Sequence, residues 1–129
     1  MVGQIFRYIK PERPKPATAY IYTLNDPRTD EVRYVGRTAR PQERVNAHIT
    51  HCLSRNREGP RGLWIRELWA EGLTPYMVII DEVPYAERWA AENKWAKYYH
   101  ERGARLTIEP YELKRMGVLT EPADQPSAS

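Results

Sequence analysis

Three groups of residues combine types and spacings that can do chemistry. Tyr20-Ile21-Tyr22 and Tyr34-Val35-Gly36 set phenols on two short segments ten to twelve residues apart. Arg44, His48 and His51 recur at spacings of four and three, which puts a guanidinium and two imidazoles on one helix stripe. Glu92 falls within the stripe Tyr85, Trp89, Trp95/Ala96 and Tyr99. A carboxylate among aromatic rings is costly to bury, so it needs an arginine, a hydrogen-bond cage or a metal ion. His48, His51 and Cys52 have the look of a metal cluster, but no fourth ligand stands nearby, which disfavours zinc.

The elements that must carry these residues follow from local chemistry. Ala19 to Leu24 reads as a strand, β-branched and aromatic without Gly or Pro, and Glu31 to Gly36 as a second. Asn25 to Asp30 between them is turn-forming, so the two make a hairpin. With Tyr22 directly opposite Tyr34, Asp26 pairs with Asp30, Pro27 to Thr29 form the loop, and both phenols share one face. A helix is predicted from Pro41 to about Arg55, its apolar stripe being Val45, Ile49 and Cys52/Leu53, with Cys52 a small core residue. A second runs from Leu63 to Glu71 and stops at Gly72. Pro75 to Ile80 is a continuous apolar run and reads as a buried central or inner strand. Tyr85 to Arg102 is a long third helix closed by Gly103, and Arg105 to Ile108 a short extended segment. The Trp64/Trp69 and Trp89/Trp95 sets read as core packing.

Composition bounds the function classes. The 129 residues suit one domain, and 41% hydrophobic with 29% charged residues is ordinary for a globular chain. No apolar run approaches the roughly 18 residues of a membrane span, and residues 1–10 lack the pattern of a secretory signal. One cysteine allows no internal disulfide; a cytoplasmic protein is expected. Charge is uneven: residues 1–66 carry +7 and residues 67–129 carry −4. The basic first half is compatible with a phosphate-facing surface. Residues 1–18 form a basic, Pro-rich arm, residues 19–108 the folded domain, and residues 109–129 an extension whose last ten residues are expected to be disordered.

The two tyrosine strands, Arg44-x-x-x-His48 on a helix, and Glu92-Asn-Lys-Trp95 followed by Gly103-Ala-Arg-Leu106, in this order and spacing, resemble the GIY-YIG nuclease family. The resemblance spans roughly residues 18–108. It implies a small, mainly antiparallel three-stranded sheet flanked by three helices (α/β in composition, α+β in layout), and a metal-dependent endonuclease acting on DNA. It carries the catalytic roles to Tyr22, Tyr34, Arg44 and His48, and the metal role to Glu92, which would hold Mg²⁺ or Mn²⁺. Two positions depart from the family pattern: Tyr20 replaces the glycine opening the first motif, and Ile108 stands where a late asparagine is expected.

The chemistry agrees with such a site. Phosphodiester hydrolysis needs an activated water, charge neutralisation at phosphorus and a stabilised leaving oxygen. Arginine grips a phosphate bidentately, as Arg44 would. Tyr22 is the candidate base or water-orienting group if nearby cations lower its pKa, Tyr34 positions water or phosphate, and His48 relays a proton. Arg37, Arg40, Arg55, Arg57 and Arg61 are candidates to follow the nucleic-acid backbone. With no separate recognition domain, weak sequence specificity is expected, or targeting by a homodimer or a partner. The alternative function is a catalytically silent nucleic-acid-binding or adaptor module of the same fold.

Overall fold

The turn between the first two strands is built around one buried carboxylate. In the computed structural model, which describes residues 14–54, 59–108, 112 and 114, Asp26 is 2% exposed. Its side chain accepts from Arg28 Nε at 3.0 Å, Arg28 Nη2 at 2.8 Å, the Arg28 amide at 2.8 Å and Trp64 Nε1 at 3.1 Å. These donors hold its carboxyl well below the usual carboxylate range. The chain reverses at Asp30, which adopts a left-handed φ of 64°. Asp and Asn tolerate that conformation best among residues with a Cβ.

The hairpin strands are β1 (Thr18–Asn25) and β2 (Val32–Thr38), followed by α1 (Pro41–Ser54), α2 (Pro60–Ala70), β3 (Tyr76–Pro84), a 3₁₀ turn (Tyr85–Glu87) and α3 (Arg88–Glu101). The sheet is antiparallel throughout, in the order β2-β1-β3. It is an α+β fold of three strands and three helices. Among the described residues no helix is long and apolar enough to cross a membrane. Arg55, Arg57, the side chain of Cys52, most of the basic arm and most of the C-terminal extension lie outside the described residues.

The register differs from the expected one by two residues. Tyr22 pairs with Gly36 and Leu24 with Tyr34: the turn shifts the pairing by one, with Asn25 opposite Val32, and a bulge beside Asn25 that leaves Arg33 without a partner on β1 adds the second. A shift of two keeps side-chain parity, so both phenols still share a face. The Arg33 carbonyl accepts instead from the amide of Thr107 at 2.6 Å and its hydroxyl at 2.8 Å, which ties the segment after α3 to the outer edge of β2.

The central strand is β1, and β3 is an edge strand. Tyr22 and Leu24 pack with Trp64, Ile65 and Leu68 of α2 on one face, while Ile21 packs with Val35, Ala91 and Ala96 on the α3 face. On β3, Tyr76, Val78 and Ile79 are exposed. A run of apolar residues signals strand character but carries no information on which neighbour lies beside it. The tryptophans also divide. Trp64 is buried, whereas Trp69 and Trp89 are exposed surface residues. Trp64 donates its buried indole N–H to Asp26, and Trp89 offers its ring face to Arg37, so each position follows from its polar partner.

Asp26→Ala leaves the Trp64 indole buried without its acceptor and frees Arg28 from the turn. We expect a loss of about 2–3 kcal/mol of unfolding free energy, read from urea denaturation monitored by tryptophan fluorescence.

Candidate active site

On the sheet face covered by α1 and α2, Tyr22 comes up from the central strand fully buried. Its phenol oxygen lies 2.6 Å from His48 Nε2. Arg44, one helical turn before His48 on α1, donates from Nε to the same oxygen at a long 3.4 Å. In the tautomer that carries its hydrogen on Nδ1, His48 accepts the phenol hydrogen at Nε2. Arginine, phenol and imidazole therefore form one hydrogen-bonded chain.

Tyr34 closes the cluster. Its ring centroid is 6.1 Å from that of Tyr22 and 5.2 Å from that of His48. The Arg61 guanidinium of α2 lies over Tyr34, 4.7 Å from its centroid. Arg61 Nε is buried with no hydrogen-bond partner among the described residues, a cost that native structures carry at few positions. Glycine at 36 has a steric cause: a Cβ there would sit 2.5 Å from the Tyr22 phenol oxygen and 2.8 Å from the Tyr34 ring. The two rings can converge only over a residue without a side chain.

Glu92 belongs to the other face. It is 4% exposed on α3, and Arg37 Nη1 donates to its Oε2 at 2.9 Å. The Arg37 guanidinium also stacks 3.3 Å above the Trp89 ring centroid. Of the partners a buried carboxylate could take, the structure provides the arginine. Arg37 and Val35 alternate along β2 with Tyr34 and Gly36, so strand β2 separates the ion pair from the phenols. The separation is electrically thin, for the Glu92 charge still acts on the Tyr34 phenol.

Electrostatics set the resting protonation. Burial, then Tyr34, push the Tyr22 phenol far above its ordinary value, outweighing Arg44 and Arg61, which act to lower it. Burial also raises Tyr34, with Glu92 adding to it against Arg61 and Arg44. Sequence reasoning expected cations to depress a phenol; they are present, but desolvation dominates. His48 moves the other way, down to about 3, through burial and then the Arg44, Arg61 and His51 charges. The resting cluster is two neutral phenols and a neutral imidazole beside two guanidinium ions.

The cluster opens to solvent at a cavity of about 240 Å³ lined by Arg44, Ala47, His48, His51 and Arg61. A neighbouring cavity of about 260 Å³ is bounded by Thr38, Ala39, Arg40, Glu43, Arg44 and Ala47. Tyr22, Tyr34, Arg44 and His48 are thus assembled as the spacing suggested, and Arg40 lines the same groove. Arg37 is engaged with Glu92 and Trp89. Arg61 is a direct neighbour of the phenols, which a helix expected to start only at Leu63 hid; its place in the first turn of α2 was signalled by Pro60. Ile108 is a buried core residue. Among the described residues there is no cluster of three or more His, Cys, Asp or Glu that could hold a metal ion.

The depressed His48 pKa has a stability consequence. The unfolded chain takes up a proton at this position below about pH 6.5, whereas the folded chain does so only near 3. Stability is therefore complete above about 6.5 and falls as pH drops towards 3. Thermal melts between pH 7 and about 4.5, above the range in which Asp26 titrates, should show a falling Tm in wild type. The slope should flatten in His48→Gln.

Comparison with protein-family models, with curated proteins and with solved structures finds no match for this chain.

Proposed function

We propose that the chain is a metal-dependent nuclease of the GIY-YIG type, hydrolysing phosphodiester bonds in DNA. The observation that carries this reading is the chain Arg44–Tyr22–His48, opening on a groove with Arg61 and Arg40 on its walls. Arg44 supplies a charged donor for a phosphate beside a phenol already bonded to an unprotonated imidazole. Burial, and then the neighbouring positive charges, hold His48 low; an incoming phosphodiester monoanion offsets those charges and raises its basicity.

The step follows from the bonding. A water oxygen attacks phosphorus and one P–O ester bond breaks. The water proton passes to the Tyr22 oxygen while the phenolic proton passes to His48 Nε2 along the 2.6 Å contact. Tyr22 thus relays a proton without becoming a free phenolate, which its burial opposes. Arg44 neutralises charge building on the phosphoryl oxygens, Tyr34 orients the water, and the leaving oxygen takes a proton from solvent.

Glu92 is the residue that would hold Mg²⁺ or Mn²⁺. One carboxylate suffices for a hard cation that keeps most of its waters. Glu92 Oε2 accepts from Arg37 at 2.9 Å, so a bound ion would share the carboxylate with that guanidinium. When bound, such an ion supplies Lewis-acid polarisation of the phosphate and stabilisation of the leaving oxygen. Low sequence specificity, or targeting through self-association or a partner, belongs to the same proposal.

A second reading, nucleic-acid binding without cleavage, draws on the Arg37–Glu92 ion pair: an arginine already neutralises the carboxylate assigned to the ion. A cleavage assay separates the two. Supercoiled plasmid and single-stranded DNA are incubated with Mg²⁺ or EDTA, using wild type, Glu92→Gln and Arg44→Ala. The nuclease reading expects metal-dependent nicking that falls at least about 100-fold in both variants. Binding without nicking by wild type would favour the silent module.

A further inference from the structure

A basic cavity lies beyond the site just discussed. About 490 Å³ in volume, it is walled by Pro14–Pro16 of the arm, Thr38–Arg40 after β2, and Tyr85 and Arg88 at the start of α3. Lys15, Arg37, Arg40 and Arg88 line it, and among the described residues no Asp or Glu does. Arg37 is paired with Glu92; Lys15, Arg40 and Arg88 are like charges around one concavity, and hydrogen bonds hold its walls. The Tyr85 amide donates to the Ala17 carbonyl at 3.0 Å, which pins the arm against the 3₁₀ turn. Arg88 Nη1 donates to the Tyr85 carbonyl at 2.8 Å, and its guanidinium stacks 3.9 Å from the Tyr85 ring centroid. Arg88 is therefore held in place by a backbone carbonyl and an aromatic face.

This cavity adjoins the candidate active site through shared lining residues. It shares Thr38, Ala39 and Arg40 with the middle cavity, which in turn shares Arg44 and Ala47 with the cavity beside His48. Among the described residues that line the three cavities, Glu43 is the single acidic one. A strand whose scissile phosphate rests on Arg44 is led past Arg40 to Arg88 and Lys15.

We infer that the cavity between the N-terminal arm, the β2–α1 loop and the start of α3 is a docking site for a non-scissile phosphate of the nucleic-acid backbone, held by Arg88, Lys15 and Arg40. The inference rests on the nuclease reading for the identity of the polyanion. The row of three adjoining cavities with basic linings favours a nucleic-acid strand over a small anion, since an isolated phosphate needs only one of them. Charge in this position adds affinity without reading sequence. It also gives the basic arm a place: Lys15 reaches the strand because Ala17 is anchored.

The test measures binding of a short fluorescent single-stranded oligonucleotide in EDTA at 50–300 mM salt, with the full chain as wild type, Arg88→Ala, Arg88→Lys and Arg44→Ala. Arg88→Ala should weaken binding about three- to tenfold at the lowest salt and reduce the slope of log affinity against log salt by about one. Arg88→Lys, which keeps the charge but loses the planar stack, should restore most of the slope; a merely structural Arg88 would not be rescued. An unchanged slope in Arg88→Ala, with a reduced one in Arg44→Ala, overturns the docking site and leaves the nuclease reading intact. Equal weakening of polyglutamate binding overturns it too, because the cavity then discriminates no phosphate. Failure of wild type to bind any oligonucleotide removes both readings together.

Discussion

The arrangement depends on the Tyr22 side chain standing upright in the middle of the sheet and being covered on all sides. Its ring fills the core against Leu24, Trp64, Ile65 and Leu68, so the strand cannot shift without opening that core. Its oxygen meets His48 and Arg44 of α1, so the helix and the sheet are joined by a polar contact inside an apolar layer. Its outer edge passes Gly36 closely enough that any Cβ would collide with it. One side chain thus sets the β1–β2 approach, the rotation of α1 and the placing of the second tyrosine. Buried polar groups of this kind are costly when unpaired and directional when paired. Packing brings the elements together, and the phenol decides how they face each other.

Two charged devices hold the remainder. At the hairpin turn, Asp26 gathers Arg28 and the Trp64 indole, linking the turn to α2, with Arg28 also meeting Glu67 and Glu71 at the surface. Behind β2, Arg37 lies between Glu92 and Trp89 and so joins the sheet to α3. The first is a buried carboxylate with four donors, and the second a buried carboxylate with a half-buried arginine. Glu92 is therefore already paid for electrostatically before any cation reaches it. In the proposed nuclease, a cation bound there would have to compete with, or share, the guanidinium.

Much of this was legible in the residues. Tyr22, Tyr34, Arg44 and His48 converge because strand and helix periodicities put them on facing surfaces, and those periodicities can be counted. The need of Glu92 for a partner was also readable, since an acid in an aromatic stripe has few options; that the partner is Arg37 was not, because it lies 55 residues away in sequence. The register was misjudged by the turn and the Arg33 bulge together, yet parity preserved the shared face. The order of strands was hidden because an apolar run at Tyr76 to Ile80 looks the same at an edge as in the middle. The exposure of Trp69 and Trp89 was hidden as well, since a tryptophan on a helix face has the same spacing whether it packs a core or a cation. The raised phenol pKa values follow from burial, a quantity no local pattern contains.

The central claim is that the Tyr22 hydroxyl, through His48, moves the proton from the attacking water. Tyr22→Phe removes one oxygen and retains the ring that fills the core. Single-turnover cleavage of plasmid DNA in Mg²⁺, measured beside the thermal melt and oligonucleotide affinity of the same variant, isolates that atom. Cleavage should fall by about 100-fold or more, with the fold and the binding retained. A Tyr22→Phe protein that cuts at the wild-type rate would contradict the relay and leave the buried phenol a structural group.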